Sequence, residues 1–472
     1  YHHLNGVLHF SSELKALFPA PTLKRKIDLE SLDCYLAMGY IPGDRCIIKG
    51  FNKLPPAHAM QFDLKSGKTK IWRYWNLPNL HDTSLQGVEN EVDLLDELET
   101  LLENSVGRQL VADVPVGILL SGGVDSSLIT AMAARKSSRI QTFSIGFPGH
   151  GKMDETGHAR LIAEYFGTQH TELMAEPASV SLLPMLAKQF DEPMVDSSMI
   201  PTFLVSQLVR KHCKVALGGD GGDELFGGYG HYSRLLWMQK RLGFIPLPLR
   251  SSIAFAAEKL LPVGMKGRNW LQFLSADLEN NLPLISTRFD LTTRSKLMKR
   301  SNFHNIAEAL VKSRVPVCQD VIQRSTRMDF ENYLAEDLLV KVDRASMLNS
   351  LEMRSPFLDH HLIEFAFGKV PSNLKATMLQ KKILLKRLTK RVLPSSFDRQ
   401  RKQGFSIPLA EWLKDGKFRE LFNDVLRDSN CIFDGQVINS LLHGQDRGHN
   451  NSERLFALVL FELWRREYGV TF

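Results

Sequence analysis

The stretch PVGILLSGGVDSSLITAMAARK, Pro115 to Lys136, constrains this chain more than any other. Val116, Ile118, Leu119 and Leu120 make an apolar run short enough for one buried strand. Ser121, Gly122 and Gly123 follow, where missing side chains let backbone N–H groups come close to a ligand. Asp125, Ser126 and Ser127 favour a helix start, and Leu128, Ile129, Met132 and Ala133 recur at helical spacing. A strand, a glycine turn and a helix N-terminus together make an anion site, because unpaired amides and the helix dipole face the ligand. Phosphate is the obvious anion.

The loop is neither of the two commonest phosphate binders. A Walker A loop needs Gly, four residues and then Gly-Lys-Ser/Thr, and the dinucleotide fingerprint needs G-x-G-x-x-G. Ser121-Gly122-Gly123-Val124-Asp125-Ser126 instead resembles the SGGxDS pyrophosphate loop of enzymes that cleave ATP to AMP and pyrophosphate.

Further along, Ile140 to Phe147 reads as a second strand, Asp154 to Phe166 as a helix closed by Gly167, and His170 to Leu173 as a third strand. Val215, Ala216 and Leu217 form another short apolar run, which breaks into GGDGGDELFGGY at 218–229. Strands alternating with helices predict a parallel sheet covered on both faces, and ligands in such sheets gather at the carboxyl ends of the strands. Both glycine loops belong there. From about residue 236 helical spacing dominates. The fold class expected is α/β: a parallel sheet with helices on both faces, a helical C-terminal part, and a partial β-rich piece over residues 1–78. A linker helix is expected over 79–104, and the main domain over 105–472.

Asp220, Asp223 and Glu224 stand among four glycines, and carboxylates so crowded repel one another unless a cation lies between them. The spacing fails the D-x-[DN]-x-[DN]-G calcium template. Mg²⁺ on ATP phosphates suits the loop better, since Mg²⁺ takes one or two protein carboxylates plus phosphate oxygens. Asp125 and Asp223 are the expected metal ligands. Charge building on pyrophosphate also calls for cations, and Lys381, Lys382 and Lys402 are the candidates. The plainer interpretation of the first two is the basic face of a helix.

SGGVDSS at 121–127, TFSIGF at 142–147, GGDGGDELFGGY at 218–229 and SLEMRSPFLDHHLIEFA at 350–366 together resemble the synthetase domain of B-type asparagine synthetases. That resemblance implies an adenine nucleotide alpha hydrolase-like, ATP pyrophosphatase fold. It implies ATP and Mg²⁺, aspartate activated as a β-aspartyl-adenylate, and attack by ammonia to give asparagine, AMP and pyrophosphate. It places adenosine-contacting backbone at Leu120, Ile145 and Gly219, the pyrophosphate loop at Ser121, Gly122, Gly123, Asp125 and Ser126, and Gly218 where Ser is common. It puts Asp220 where the family carries an acidic residue, often Glu, and a catalytic lysine as late in the chain as Lys402; Lys381 is a catalytic candidate from its charge alone. Asp196, Glu352 and Arg354 are candidate substrate contacts, with a structural ion pair as the alternative for the last two.

FSSELKAL at 10–17 and Arg73-Tyr74-Trp75 resemble the last part of that family's glutamine amidotransferase domain. The family's nucleophile is an N-terminal cysteine; residue 1 here is Tyr, so the sequence is expected to start inside a longer protein and to hydrolyse no glutamine itself.

Composition sets outer limits. With 472 residues, 43% of them hydrophobic, two or three domains are expected. The formal charge of +7 is modest for this length and suits an anionic small molecule better than nucleic acid. Cys34, Cys46, Cys213, Cys318 and Cys431 show no metal-like pairing and read as reduced thiols of a cytoplasmic protein. No apolar run approaches a membrane span. The expected partners are small molecules, with a homodimer as the candidate assembly. The same chemistry on another carboxylate, and a tRNA-modifying enzyme sharing the pyrophosphate loop, are the rival functions.

Overall fold

The computed structural model describes residues 1–79, 90–146, 155–175, 179–278, 282, 288–299, 306–314, 320–400 and 407–472. Four short strands belong to the N-terminal part, as two antiparallel hairpins: β1 (His2–Leu4) with β2 (Val7–His9), and β3 (His58–Phe62) with β4 (Thr69–Arg73). Five more build one parallel sheet: β5 (Val116–Leu119), β6 (Gln141–Gly146), β7 (Gln169–Met174), β8 (Val215–Leu217) and β9 (Glu352–Arg354). Their order is β7-β6-β5-β8-β9. β5 lies between β6 and β8, with Gly117 opposite Gln141 on one side and Ala216 on the other. The connection leaves β5 toward one edge and later returns to its other flank, so the loops after β5 and β8 are neighbours at the same end of the sheet. That is the topological switch point of an open α/β sheet.

Each face of the sheet has its own core. Ile118, Leu120 and Leu217 pack with the helices α2 (Glu91–Gln109) and α3 (Val124–Lys136) and with the helix Ile383–Val392. Phe143 and Ala216 pack with Val205 and Val209 of the helix Met199–Val209. The expected strands and the helix ending at Gly167 are present, the latter over Thr156–Phe166 with Gly167 left-handed at its C-cap. β9 adds an edge strand that the sequence does not announce, because three residues of alternating Glu, Met and Arg carry too little apolar signal.

The helix expected as a linker runs over Glu91–Gln109 and is part of the sheet's cover, because Leu94, Leu98, Leu102 and Val106 are buried against Leu128 and Met132. The N-terminal piece has the expected short strands and one further element. It contains helix α1 (Leu29–Met38), started by Asp28, whose side chain accepts from the Ser31 N–H, and stopped by Gly39 at φ 93°. Both caps are readable in the sequence.

α1 is buried on nearly all sides. Leu32, Tyr35 and Leu36 share a core with the helix Ser452–Glu467, and the Tyr35 hydroxyl donates to the carbonyl of Ala457 at 2.7 Å. Asp33 is paired at 2.7 Å with Arg294, which also holds Glu308 at 2.9 Å; neither Asp33 nor Arg294 is exposed. Phe456 to Phe461, an unbroken apolar run, is buried in this shared core. No helix among the described residues is long and apolar enough to cross a membrane.

Removing one member of a buried ion pair strands the other, which typically costs about 3–5 kcal/mol. Arg294→Met is therefore expected to lower the unfolding free energy by an amount in that range, as read from urea denaturation. A change below about 1 kcal/mol would show that α1 is held by its apolar contacts alone.

Candidate functional site

The loop after β5 folds on itself. The Ser126 hydroxyl accepts from the Ser121 N–H at 3.2 Å and lies 2.9 Å from the Ser121 hydroxyl, which accepts from the Gly123 N–H at 3.3 Å. Gly122 sits at φ 71°, and a Cβ there would lie 2.6 Å from that of His158, so only glycine fits this corner. The loop after β8 is equally tight. Gly221 is left-handed at φ 93°, and a side chain at Gly228 would run into the Asp223 carboxylate.

The two corners line one cleft of about 790 Å³ at the carboxyl ends of the strands. Leu120, Ser121, Gly122, Gly123, Asp125 and Ser126 form one wall. Gly218, Gly219, Asp220 and Asp223 form the facing one, with Ile145 and Asp196 beside them. A Cβ on Gly219 would stand 3.0 Å from that of Asp125, a measure of how close the loops come.

Lys382 joins them. Its ammonium contacts the Asp125 carboxylate and lies 2.8 Å from Asp223 Oδ1. Burial alone would lower its pKa, but Asp125 and then Asp223 outweigh that and hold it well above the usual lysine range. Two carboxylates converging on a cation are also a fit donor set for Mg²⁺, which prefers a few hard oxygens. Lys382 occupies the N-cap of the helix Ile383–Val392 in the left-handed region, at φ 53°. A non-glycine residue held there is strained and persists only where its surroundings impose it. The short turn before it, closed by a bridge between Ala376 and Lys381, supplies that constraint.

The structure places the two adjacent lysines differently. Lys381 lines the cleft, but the ammonium between the two carboxylates is that of Lys382. Sequence pattern cannot separate them, because their chemistry is the same and only the turn leading into Ile383 sets which one points between the loops. Lys402 lies outside the described residues. Glu352 and Arg354 are not brought to the cleft. They pair with each other at 2.7 Å on edge strand β9, and Arg354 also donates to the carbonyls of Gln109 and Val111; Met353, between them, is the β9 residue that faces the site. Strand alternation turns the two polar side chains away.

Other polar groups also line the cleft, and of these Lys341 carries no sequence signal of its own. Glu224 is buried beneath the loop and accepts from the Tyr229 hydroxyl. Burial first, and the neighbouring Asp223 second, push its carboxyl up to about 8. Lys341, in the helix Leu339–Met347, is paired with Asp196 at 3.0 Å and donates to Ser198 at 2.9 Å. Asp220 is raised by burial, against the pull of Lys341. Helix Leu339–Met347 is preceded by a π-helical stretch over Asp329–Leu338, an irregularity often found at working sites. Of the cysteines, Cys34, Cys46 and Cys213 are buried and Cys431 is half-buried, all free; Cys318 lies outside the described residues. Burial pushes the Cys34 thiol up to about 12 and Cys46 well above its ordinary value, which leaves both inert as nucleophiles.

The family model described as "Asparagine synthase" matches residues 97–466, which takes in the whole cleft. The chain belongs to the asparagine synthase family. A second family model, "Glutamine amidotransferase domain", matches residues 1–75. The chain is similar to a protein named "Putative asparagine synthetase [glutamine-hydrolyzing]" of Mycobacterium tuberculosis, strain H37Rv, with 31% identity over 93% of this chain and 67% of the relative. It is also similar to "Asparagine synthetase [glutamine-hydrolyzing] 1" of Bacillus subtilis, with 29% identity over 98% of this chain and 72% of the relative. A third similar protein, "Putative asparagine synthetase [glutamine-hydrolyzing] 2" of Methanocaldococcus jannaschii, is 37% identical over 47% of this chain and 42% of its own length. Family membership makes the chain an enzyme of the carbon–nitrogen ligase class.

Lys382→Ala is expected to lower turnover by ~10²–10³, the usual cost of losing one charge stabiliser, and Lys381→Ala by far less. Steady-state rates of the two variants check this, and a larger loss from Lys381→Ala would overturn the assignment. Glu224 keeps its proton to a higher pH folded than unfolded, so the folded state binds more protons between the ordinary carboxylate range and about 8. Stability is therefore expected to fall as pH rises through that window. Denaturant midpoints at about pH 5 and about pH 9 should differ in the wild type and differ less in Glu224→Gln.

Proposed function

We propose that this chain is an ATP-dependent ligase that joins ammonia to the side-chain carboxylate of aspartate, giving asparagine, AMP and pyrophosphate through a β-aspartyl-adenylate. The observation that carries the reading is the meeting of Asp125 and Asp223, from two separate glycine corners, around the ammonium of Lys382.

A carboxylate is a poor electrophile until one of its oxygens becomes part of a leaving group. In the proposed first step a carboxylate oxygen of aspartate attacks the α-phosphorus of ATP, and pyrophosphate departs with the electrons of the broken P–O bond. Negative charge builds on that leaving group. The amides and hydroxyls of Ser121 to Ser126 and the Lys382 ammonium are the groups available to receive it. Asp125 and Asp223 would hold Mg²⁺, which supplies further charge neutralisation on the phosphates. The backbone of Leu120, Ile145 and Gly219 is the proposed seat of adenosine.

In the second step ammonia attacks the acyl carbon, AMP leaves, and the nitrogen gives up a proton. Asp220 stands in the same cleft, and its raised pKa suits a proton acceptor of intermediate strength.

The test is product analysis from ATP, Mg²⁺, aspartate and ammonium. Asparagine, AMP and pyrophosphate are expected in equal amounts, and Asp125→Asn or Asp223→Asn should abolish all three. ADP and phosphate in place of AMP and pyrophosphate would reject the mechanism. Activity with a different carboxylate but not aspartate would keep the chemistry and change the substrate.

A further inference from the structure

The cleft extends past the glycine corners into a part lined by Asp196, Ser197, Ser198, Arg288, Lys341 and Glu453. Of these only Asp196 stands out in the sequence, since the residues come from four distant segments. They form two ion pairs of different character. Lys341 and Asp196 are closely matched: 3.0 Å apart, both engaged by Ser198, whose N–H and hydroxyl donate to Asp196 at 2.9 and 2.6 Å. Such a pair is a finished structural unit.

Arg288 and Glu453 are not closely matched. Arg288 Nη1 is 3.8 Å from Glu453 Oε2, beyond hydrogen-bond reach. Nη2 of Arg288 donates to the carbonyl of Val195 at 3.0 Å, while its Nε is buried with no partner among the described residues. Glu453 accepts from the Ser197 hydroxyl at 2.7 Å and lies in the first turn of the helix Ser452–Glu467. Both side chains are firmly seated. The Arg288 backbone is pinned by the Ala37 carbonyl at 2.9 Å and by the Arg454 guanidinium at 2.6 Å. The result is a cation and an anion side by side in the cleft wall, each with hydrogen-bonding capacity to spare.

We propose that Arg288 and Glu453 form the subsite that reads the α-carbon of the acceptor, Arg288 taking its α-carboxylate and Glu453 its α-ammonium. This rests on the acyl-adenylation reading above and adds what that reading lacks, a reason for the enzyme to choose an amino acid over a plain dicarboxylic acid. A zwitterion brings one charge of each sign and satisfies both groups together. An acceptor without the amine leaves Glu453 facing the cleft uncompensated, and a site built to bond a missing group discriminates strongly against the analogue. Burial raises the Glu453 carboxyl more than Arg288 pulls it back, so the anion gains from an incoming ammonium.

The experiment compares aspartate with succinate, its analogue without the amine, by ATP-dependent pyrophosphate release from the full chain. The wild type is expected to favour aspartate by ~10²-fold or more in kcat/KM. Glu453→Gln should reduce that ratio to within about tenfold by raising the KM for aspartate while leaving the KM for ATP unchanged. Arg288→Met should weaken both acids and keep the ratio, because both carry the second carboxylate. A ratio unmoved by Glu453→Gln, or a KM for ATP that rises in step, would overturn the proposal. If no carboxylate releases pyrophosphate, the adenylation reading fails, and calorimetric titration of aspartate decides this subsite alone. Weaker binding by both variants than by the wild type would sustain it; equal binding by all three, or none by the wild type, would end it.

Discussion

Lys382, held between Asp125 and Asp223, is the interaction on which the cleft depends. Two glycine-rich corners bring like charges together at the end of a parallel sheet, where they would repel each other. A buried ammonium between them removes that repulsion and fixes the distance between the loops. The strain of its left-handed backbone is the local cost of aiming it there. The lysine leads into a helix packed on α3, so its placement is tied to the same core that supports the first loop. Charge and packing thus specify one geometry.

The sheet order makes that geometry possible. With β5 flanked by β6 and β8, strands as distant in sequence as those holding Val116 and Val215 end side by side, and short loops suffice to meet. No long excursion of backbone is needed to assemble the site. Glycine is required at the crossing points because backbone and carboxylate approach within contact distance there.

Much of this is legible in the sequence because local chemistry and global topology agree. A β-strand run, then glycines, then helix starters can hardly fold otherwise, and both corners stand out from residues alone. Legibility fails where a position depends on a boundary or on distant partners. Lys381 and Lys382 have the same chemistry, and only the start of the following helix distinguishes them. Glu352 and Arg354 have the chemistry of substrate contacts, but strand alternation turns them outward. Arg288, Lys341 and Glu453 leave no local trace, since each acquires meaning only from residues far along the chain. The caps of α1, by contrast, are plain in Asp28 and Gly39 and are outweighed by the β-rich impression of their neighbours.

The shared core of α1 and the helix Ser452–Glu467 has a consequence for biogenesis. Tyr35 and Ala457 are 422 positions apart, and their contact lies inside the apolar cluster that holds the N-terminal part. During synthesis, Leu32, Tyr35 and Leu36 emerge from the ribosome long before the surface that covers them exists. Until then they are exposed apolar groups, prone to the wrong associations that chaperones suppress. Contacts this distant also make late steps slow, because a long loop must close before they form. Folding is therefore expected to proceed outward from the parallel sheet, which can form before α1 meets the helix Ser452–Glu467 that covers it.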